Sequence, residues 1–230
     1  MYIYTIMSYN YGFLILLLAH TLNGEDAACP DTDASCSIPL QWKFQEMPVA
    51  CASGGACAQA SLNDNSSLMF DGNSGSTWIF GTVNNQTWNH IINSNSPTKR
   101  FDHKMASLGD DRVVLFGGKN TAGEYFDDTW IFYNTKQKWE QIKTIISPGK
   151  RYRHVMGSLG EKVVLFGGEN EAKEFLNDTW TFKSQWKQIN TYSTTNKPKP
   201  RTSSSMASLE NGQVLLYGGY NGNIVTKHFS

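Results

Sequence analysis

The chain has 230 residues, 20 of them basic and 20 acidic, so its formal net charge is zero, and 13% are aromatic. That balance excludes the basic footprint of a nucleic-acid binder and the composition of an acidic solvating tail. With 40% hydrophobic residues the chain can bury a core, and its length allows one β domain or two small ones.

Residues 1–24 differ from everything after them. Gly12–Ala19 reads GFLILLLA, and polar and small residues follow to Gly24. Such a run is too short to span a membrane and has the form of a secretory signal peptide, although no Lys or Arg precedes it. The expectation is export, with cleavage between Gly24 and Ala28 and no transmembrane span.

The cysteines agree with export. Cys29, Cys36, Cys51 and Cys57 all lie in the first quarter, and an even count in an exported chain favours disulfides. Their order leaves all three pairings open. There is no Cys-x-x-Cys and no His among them, so no metal site is expected. The sequons at Asn65, Asn85 and Asn177 are glycosylation candidates in an exported chain.

Residues 48–230 repeat. RVVLFGG at Arg112–Gly118 returns as KVVLFGG at Lys162–Gly168 and as QVLLYGG at Gln213–Gly219, after 50 and then 51 residues. MASL at Met105–Leu108 keeps step as MGSL at Met156–Leu159 and MASL at Met206–Leu209. DDTW at Asp127–Trp130 returns as NDTW at Asn177–Trp180, and a second tryptophan follows each, Trp139 and Trp186. Pro48–Ile92 is a degenerate copy, with Phe70-Asp71-Gly72 for the glycine pair but Trp78 and Trp88 in place. A period near fifty residues marks a solenoid, propeller or array.

The physics of the unit follows from its residues. VVLF is a β-branched and apolar run, the composition of a strand buried on both faces. The glycines after it permit backbone angles that other residues resist and leave room for a close neighbour. Thr-Trp-Ile-Phe at 129–132 reads as the next strand, with Asp128 and Asp178 suited to the turns before such strands. Ile38–Met47, IPLQWKFQEM, reads as the end of a unit, because Trp42 lies 46 residues before Trp88. Residues 25–47 are thus expected to form a segment that contains Cys29 and Cys36 and a ring-closing strand that pairs with the blade of Gln213–Gly219. NGNIVTKHFS, after Gly219, does not read as an Asp-x-Trp strand.

Arg100-x-x-His103 and Arg151-x-x-His154, each followed by a β-run ending Gly-Gly, then Asp-x-Trp, then a second Trp, resemble the kelch repeat of β-propellers. In the last unit Ser204 stands at the histidine position. The resemblance implies an all-β propeller of about four blades, or a fragment of a larger one. It makes Gly117, Gly118, Trp130, Trp139, Gly167, Gly168, Trp180, Trp186, Gly218 and Gly219 structural positions. Exported relatives of that fold include galactose-oxidase-type copper enzymes and sialic-acid mutarotases. The copper enzymes need a propeller cysteine crosslinked to tyrosine, and no cysteine follows residue 57.

In that topology the loops Lys119–Asp127 and Glu169–Asn177 share a face with the connections between blades. The candidate binding residues on it are Glu124, Tyr125, Phe126, Glu174, Phe175, Lys150 and Arg153. Arg100 and Arg151 recur with Asp128 and Asp178, which suggests ion pairs between blades. His103 and His154 recur too, and a scaffold rarely duplicates a catalytic residue, so a structural hydrogen-bonding role is expected. The reading is a secreted binder of protein or glycan without cofactor, the alternative being a carbohydrate-active enzyme.

Overall fold

The computed structural model describes residues 18–19, 42–43, 55–62, 66–81, 87–190, 197–209, 212–225 and 228–229. The chain divides into residues 1–53 and 54–230. In the first unit, β1 (Leu18–Ala19) and β2 (Trp42–Lys43) pair antiparallel. Trp42–Lys43, the centre of the expected ring-closing strand, thus has Leu18–Ala19 as its described partner.

The second unit is built from antiparallel meanders. Blade I holds β3 (Cys57–Ser61), β4 (Ser67–Asp71), β5 (Ser76–Phe80) and β6 (Trp88–Ile91). Blade II holds β7 (Lys104–Gly109), β8 (Arg112–Phe116), β9 (Thr129–Tyr133) and β10 (Lys138–Ile142), and a short 3-10 turn at Asn134–Lys136 joins its last two strands. Blade III holds β11 (Val155–Leu159), β12 (Lys162–Glu169), β13 (Phe175–Phe182) and β14 (Trp186–Ile189). Blade IV shows three strands, β15 (Ser205–Leu209), β16 (Gln213–Tyr217) and β17 (His228–Phe229). Its third strand comes from NGNIVTKHFS, the segment that does not read as a strand: Leu216 pairs Phe229 and Tyr217 pairs His228.

The core lies between blades rather than within them. Along β8, Val113 and Leu115 join Phe70, Leu68 and Ile79 of blade I, while Val114 and Phe116 join Met156, Leu165 and Phe182 of blade III. A strand buried on both faces needs apolar residues at every position, which is why VVLF carries no alternation. The fourth strand then locks each blade to the one before it. Trp139 on β10 donates its indole N–H to Thr77 Oγ1 on β5 at 2.8 Å, and Trp186 on β14 donates to Thr129 Oγ1 on β9 at 2.9 Å. Each indole also packs on phenylalanines of both blades, Trp139 on Phe70 and Phe132, Trp186 on Phe116 and Phe182.

Gly117 and Gly167, the first glycines of their pairs, are seats for the next blade. A Cβ on Gly117 would lie 2.7 Å from the Arg151 carbonyl oxygen, and one on Gly167 would lie 2.7 Å from that of Arg201. Gly118 N–H donates to the Arg151 carbonyl at 2.8 Å and Gly168 N–H to that of Arg201 at 2.9 Å. Gly117→Ala therefore adds a backbone clash to the strain of a φ of +65°, whereas Gly123→Ala, at φ +83° with open space around it, adds strain alone. Chemical denaturation should show Gly117→Ala the more destabilising by about 1–3 kcal/mol, the range for overpacking. Equal losses would show that the seat tolerates a methyl group.

Candidate functional site

Beneath the loop face lies a framework that two blades repeat. The Arg100 side chain is fully buried and grips Asp128 with both terminal nitrogens, at 2.5 and 2.8 Å. It also donates to the Gly117 carbonyl at 3.1 Å and to the Thr98 carbonyl at 2.9 Å. Trp130 Nε1 donates to the same carboxylate at 2.7 Å. Blade III copies the arrangement with Arg151, Asp178, the Gly167 carbonyl and Trp180. Burial acts to raise the Asp178 carboxyl, but the Arg151 guanidinium and the Trp180 N–H hold it below the usual carboxylate range. The sequence suggested ion pairs between blades. The structure corrects this: the arginine lies on the connection into a blade, and its aspartate belongs to that same blade, Asp128 just before β9 and Asp178 within β13.

His103 and His154 sit behind these arginines, both buried. His103 packs edge-on against Phe70 of blade I at 5.3 Å, and His154 against Phe116 of blade II at 5.7 Å. Among the described residues neither ring has a side-chain hydrogen bond of good geometry. Both rings pack between blades, and backbone groups of Arg100 and Phe70 at His103, and of Phe116 at His154, are near enough to favour the protonated ring, in keeping with a structural role. Lys104, the first residue of β7, contributes positive charge near both rings, and burial lowers its own pKa.

Immediately before the first strands, the backbone forms a linked series. Asp102, Arg153 and Ser203 occupy equivalent positions with φ of 54°, 53° and 55°. Asp102 N–H donates to the Gly55 carbonyl, Arg153 N–H to that of Asp102, and Ser203 N–H to that of Arg153, at 2.7, 3.1 and 2.9 Å. Left-handed backbone at a residue other than glycine costs energy and persists only where the surroundings enforce it. The scaffold fixes the backbone at these positions while the side chains differ.

The same holds one step outward, where four residues converge. Lys119 Nζ lies 3.9 Å over the Tyr152 ring and 5.8 Å from the Tyr125 ring, and the Arg153 guanidinium lies 5.1 Å from the Tyr152 ring. Tyr125 meets Tyr152 edge-on at 5.2 Å. Burial, followed by the Glu169 carboxylate that accepts the phenol proton at 3.0 Å, pushes the Tyr152 hydroxyl up to about 12. Arg153 pairs with Asp102 at 3.3 Å and stays half exposed.

The residues singled out from sequence divide accordingly. Tyr125 and Arg153 belong to this cluster. Lys150 is exposed and pairs with Glu171. Glu124 and Glu174 clamp their own loops, each bonded to the asparagine four residues before it, Asn120 and Asn170. Phe126 lies under the Arg100 guanidinium at 4.2 Å and belongs to the framework. Phe175 packs edge-on against Tyr220 at 5.9 Å. Tyr152 and Asp102 escaped the sequence reading, and Lys119 and Glu169 entered it only as the first residues of the two loops. Their signal was available: at repeat-equivalent positions Lys119, Glu169 and Tyr220 differ, as do Tyr152 and Thr202.

Of the cysteines, only Cys57 lies among the described residues, and it is not a free thiol. Cys29, Cys36 and Cys51 lie outside them, as do Asn65 and Asn85, while Asn177 is half-buried within β13. No helix among the described residues is long and apolar enough to cross a membrane, and no group of three or more of them could hold a metal ion.

Meanders whose arginine, glycine pair and two tryptophans recur in this geometry are kelch-type β-propeller blades. The KLHDC2/KLHL20/DRC7 Kelch-repeats domain family matches residues 53–230, and the chain belongs to it. It is 29% identical over 102 residues to Kelch domain-containing protein 1 of Mus musculus, covering 44% of this chain and 22% of the relative. It is 26% identical over 147 residues to Adagio protein 3 of Arabidopsis thaliana, covering 59% of this chain and 22% of the relative. Adagio-like protein 3 of Oryza sativa subsp. japonica is 30% identical over 77 residues, covering 33% of this chain and 12% of the relative. The chain thus spans less than a quarter of the length of these relatives.

The two histidines give the fold an acid response. Burial, with the positive charge of Arg100 and Lys104, pushes His103 down to about 3, and burial with Arg151 and Lys104 holds His154 well below its usual value. Both are neutral in the fold, whereas the unfolded chain takes up their protons from about pH 6.5 downward. Their contribution is complete above that value and falls as the pH drops toward 3, by up to about 1.4 kcal/mol per pH unit for each histidine. The carboxylates titrate lower, so the window from about pH 6 to pH 5 isolates the histidines. Replacing either with glutamine should roughly halve the slope of unfolding free energy there. An unchanged slope in both variants would show that the rings are solvated in the fold.

Proposed function

We propose that the chain is a protein-interaction module, and that its partner meets the loop face where Lys119, Tyr125, Tyr152 and Arg153 converge. The observation that carries this reading is the contrast between a repeated framework and a cluster that departs from the repeat. Arg100 and Arg151, with their aspartates and tryptophans, are duplicated and serve the fold. The cluster above them occurs once, and it combines a buried ring, Tyr152, and a half-buried one, Tyr125, with two cations, a make-up enriched in protein contacts. Kelch repeats serve as protein-interaction modules, which supports a protein over a glycan. His103 and His154 are buried and duplicated, so a carbohydrate-active enzyme would need catalytic groups from elsewhere.

A partner isolated on the wild-type chain should bind Tyr125→Ser and Arg153→Glu at least about tenfold more weakly, the loss expected of central contact residues. Their melting temperatures should stay near that of the wild type. Unchanged affinity in both variants would move the contact elsewhere. A large fall in melting temperature for Tyr125→Ser would return that ring to the core. Turnover of a sugar by the purified chain would replace the binder reading altogether.

We also propose that the protein is exported and carries disulfides. The GFLILLLA run and the gathering of all four cysteines in the first quarter support this. Intact mass of the secreted protein, alkylated without reduction, should show removal of the first 24 to 28 residues and no alkylated cysteine. Retention inside the cell, or four alkylated thiols, would reject it.

A further inference from the structure

The loop after β16 repeats the clamp of its two counterparts in a shorter form. In blades II and III, Asn120 and Asn170 each accept the N–H of the glutamate four residues on, at 2.9 and 3.0 Å, and bond its carboxylate through Nδ2. Their own N–H groups donate to that glutamate's carbonyl. In blade IV the same two bonds to the backbone are made two residues on. Asn221 Oδ1 accepts the Asn223 N–H at 3.3 Å, and Asn221 N–H donates to the Asn223 carbonyl at 3.2 Å. The one residue enclosed is Gly222, where the other loops enclose three. Asn223 brings no carboxylate, and among the described residues nothing holds Asn221 Nδ2. Gly222 is exposed, its N–H takes no hydrogen bond among the described residues, and a Cβ there would meet nothing within 4 Å.

We propose that Asn221–Gly222 is a site of spontaneous deamidation, with water as the only co-reactant. A side chain bonded to the backbone two residues on folds the Asn221 carboxamide over the Gly222 peptide. The Gly222 nitrogen attacks Asn221 Cγ and forms the new C–N bond of a five-membered succinimide. The Cγ–Nδ2 bond breaks, and Nδ2 leaves as ammonia with the proton that the Gly222 nitrogen gives up. Asn223 N–H, bonded to Oδ1, faces the oxygen on which charge builds during the attack. Water then opens the ring at either carbonyl, giving aspartate or the isoaspartate whose main chain runs through Cβ. Glycine suits the step because it puts no Cβ beside the attacking nitrogen, whereas Thr121 and Glu171 follow Asn120 and Asn170. Tyr220 N–H donates to the Thr202 carbonyl at 2.8 Å and Val225 N–H to that of Gly219 at 2.9 Å, which pins the loop on both sides of the site. The reaction therefore adds one negative charge to the loop face and leaves β16 in place.

The full chain, aged in warm neutral buffer and read by peptide mass, should convert Asn221 at least about tenfold faster than Asn120 or Asn170, the gap expected from glycine's missing Cβ. A methyltransferase specific for isoaspartate should label the peptide that contains residue 221. Gly222→Ala should slow conversion to the level of the two other asparagines, and Asn221→Ser should remove the label, each with unchanged circular dichroism. Should Gly222→Ala fail to fold, Asn221→Ser still reads the site. Fragment masses separate Asn221 from Asn211, which glycine also follows. Conversion confined to Asn211 overturns the proposal, and so does an Asn221 that only keeps pace with Asn120 and Asn170.

Discussion

Blades II and III each depend on one arginine that works in two directions. Through its backbone, Arg151 fills the space above Gly117 and accepts the Gly118 N–H of the preceding blade. Through its guanidinium it holds the Gly167 carbonyl and the Asp178 carboxylate of its own blade. A buried cation is tolerable only when its donors are satisfied, and the fork geometry of arginine allows that where lysine would leave gaps. The requirement for glycine follows from it. Any side chain at residue 117 or 167 would displace the very carbonyl that brings the arginine into position.

Outward from this contact, the protein separates what it repeats from what it varies. Burial between sheets demands continuous apolar strands, two tryptophans and a small residue at each seat, and those recur in blades II and III. Where the chain emerges on the loop face, the backbone is held as firmly, with φ near 54° at three equivalent residues, yet the side chains there are Asp102, Arg153 and Ser203. A rigid backbone carrying different side chains is how one repeat can present a surface that is not itself repeated.

The sequence made the repeating part legible because burial constrains composition. VVLF, the glycine pairs and the tryptophans each announce a packing requirement, and β8 and β12 sit where those runs place them. The Arg100–Asp128 pair was visible, but its assignment depended on knowing to which blade a connection belongs, and spacing alone does not say. The strand at His228–Phe229 carries no signal of its own and is set by pairing with β16. The convergence of Lys119 and Tyr152 joins residues 33 apart in chain, on different blades. The left-handed backbone of Arg153 has no glycine or asparagine to betray it.

The tryptophan that closes each interface carries a consequence for the newborn chain. Thr77 waits for the indole of Trp139, 62 residues downstream, and Thr129 waits for Trp186, 57 residues downstream. At roughly 5–20 residues per second of synthesis, a blade has all its strands for several seconds before its trailing face is sealed. Phe70 and Phe116 are open to water during that interval. Assembly therefore runs in one direction, each blade protected by its successor, and a stalled ribosome leaves a sheet whose apolar side has nothing to cover it.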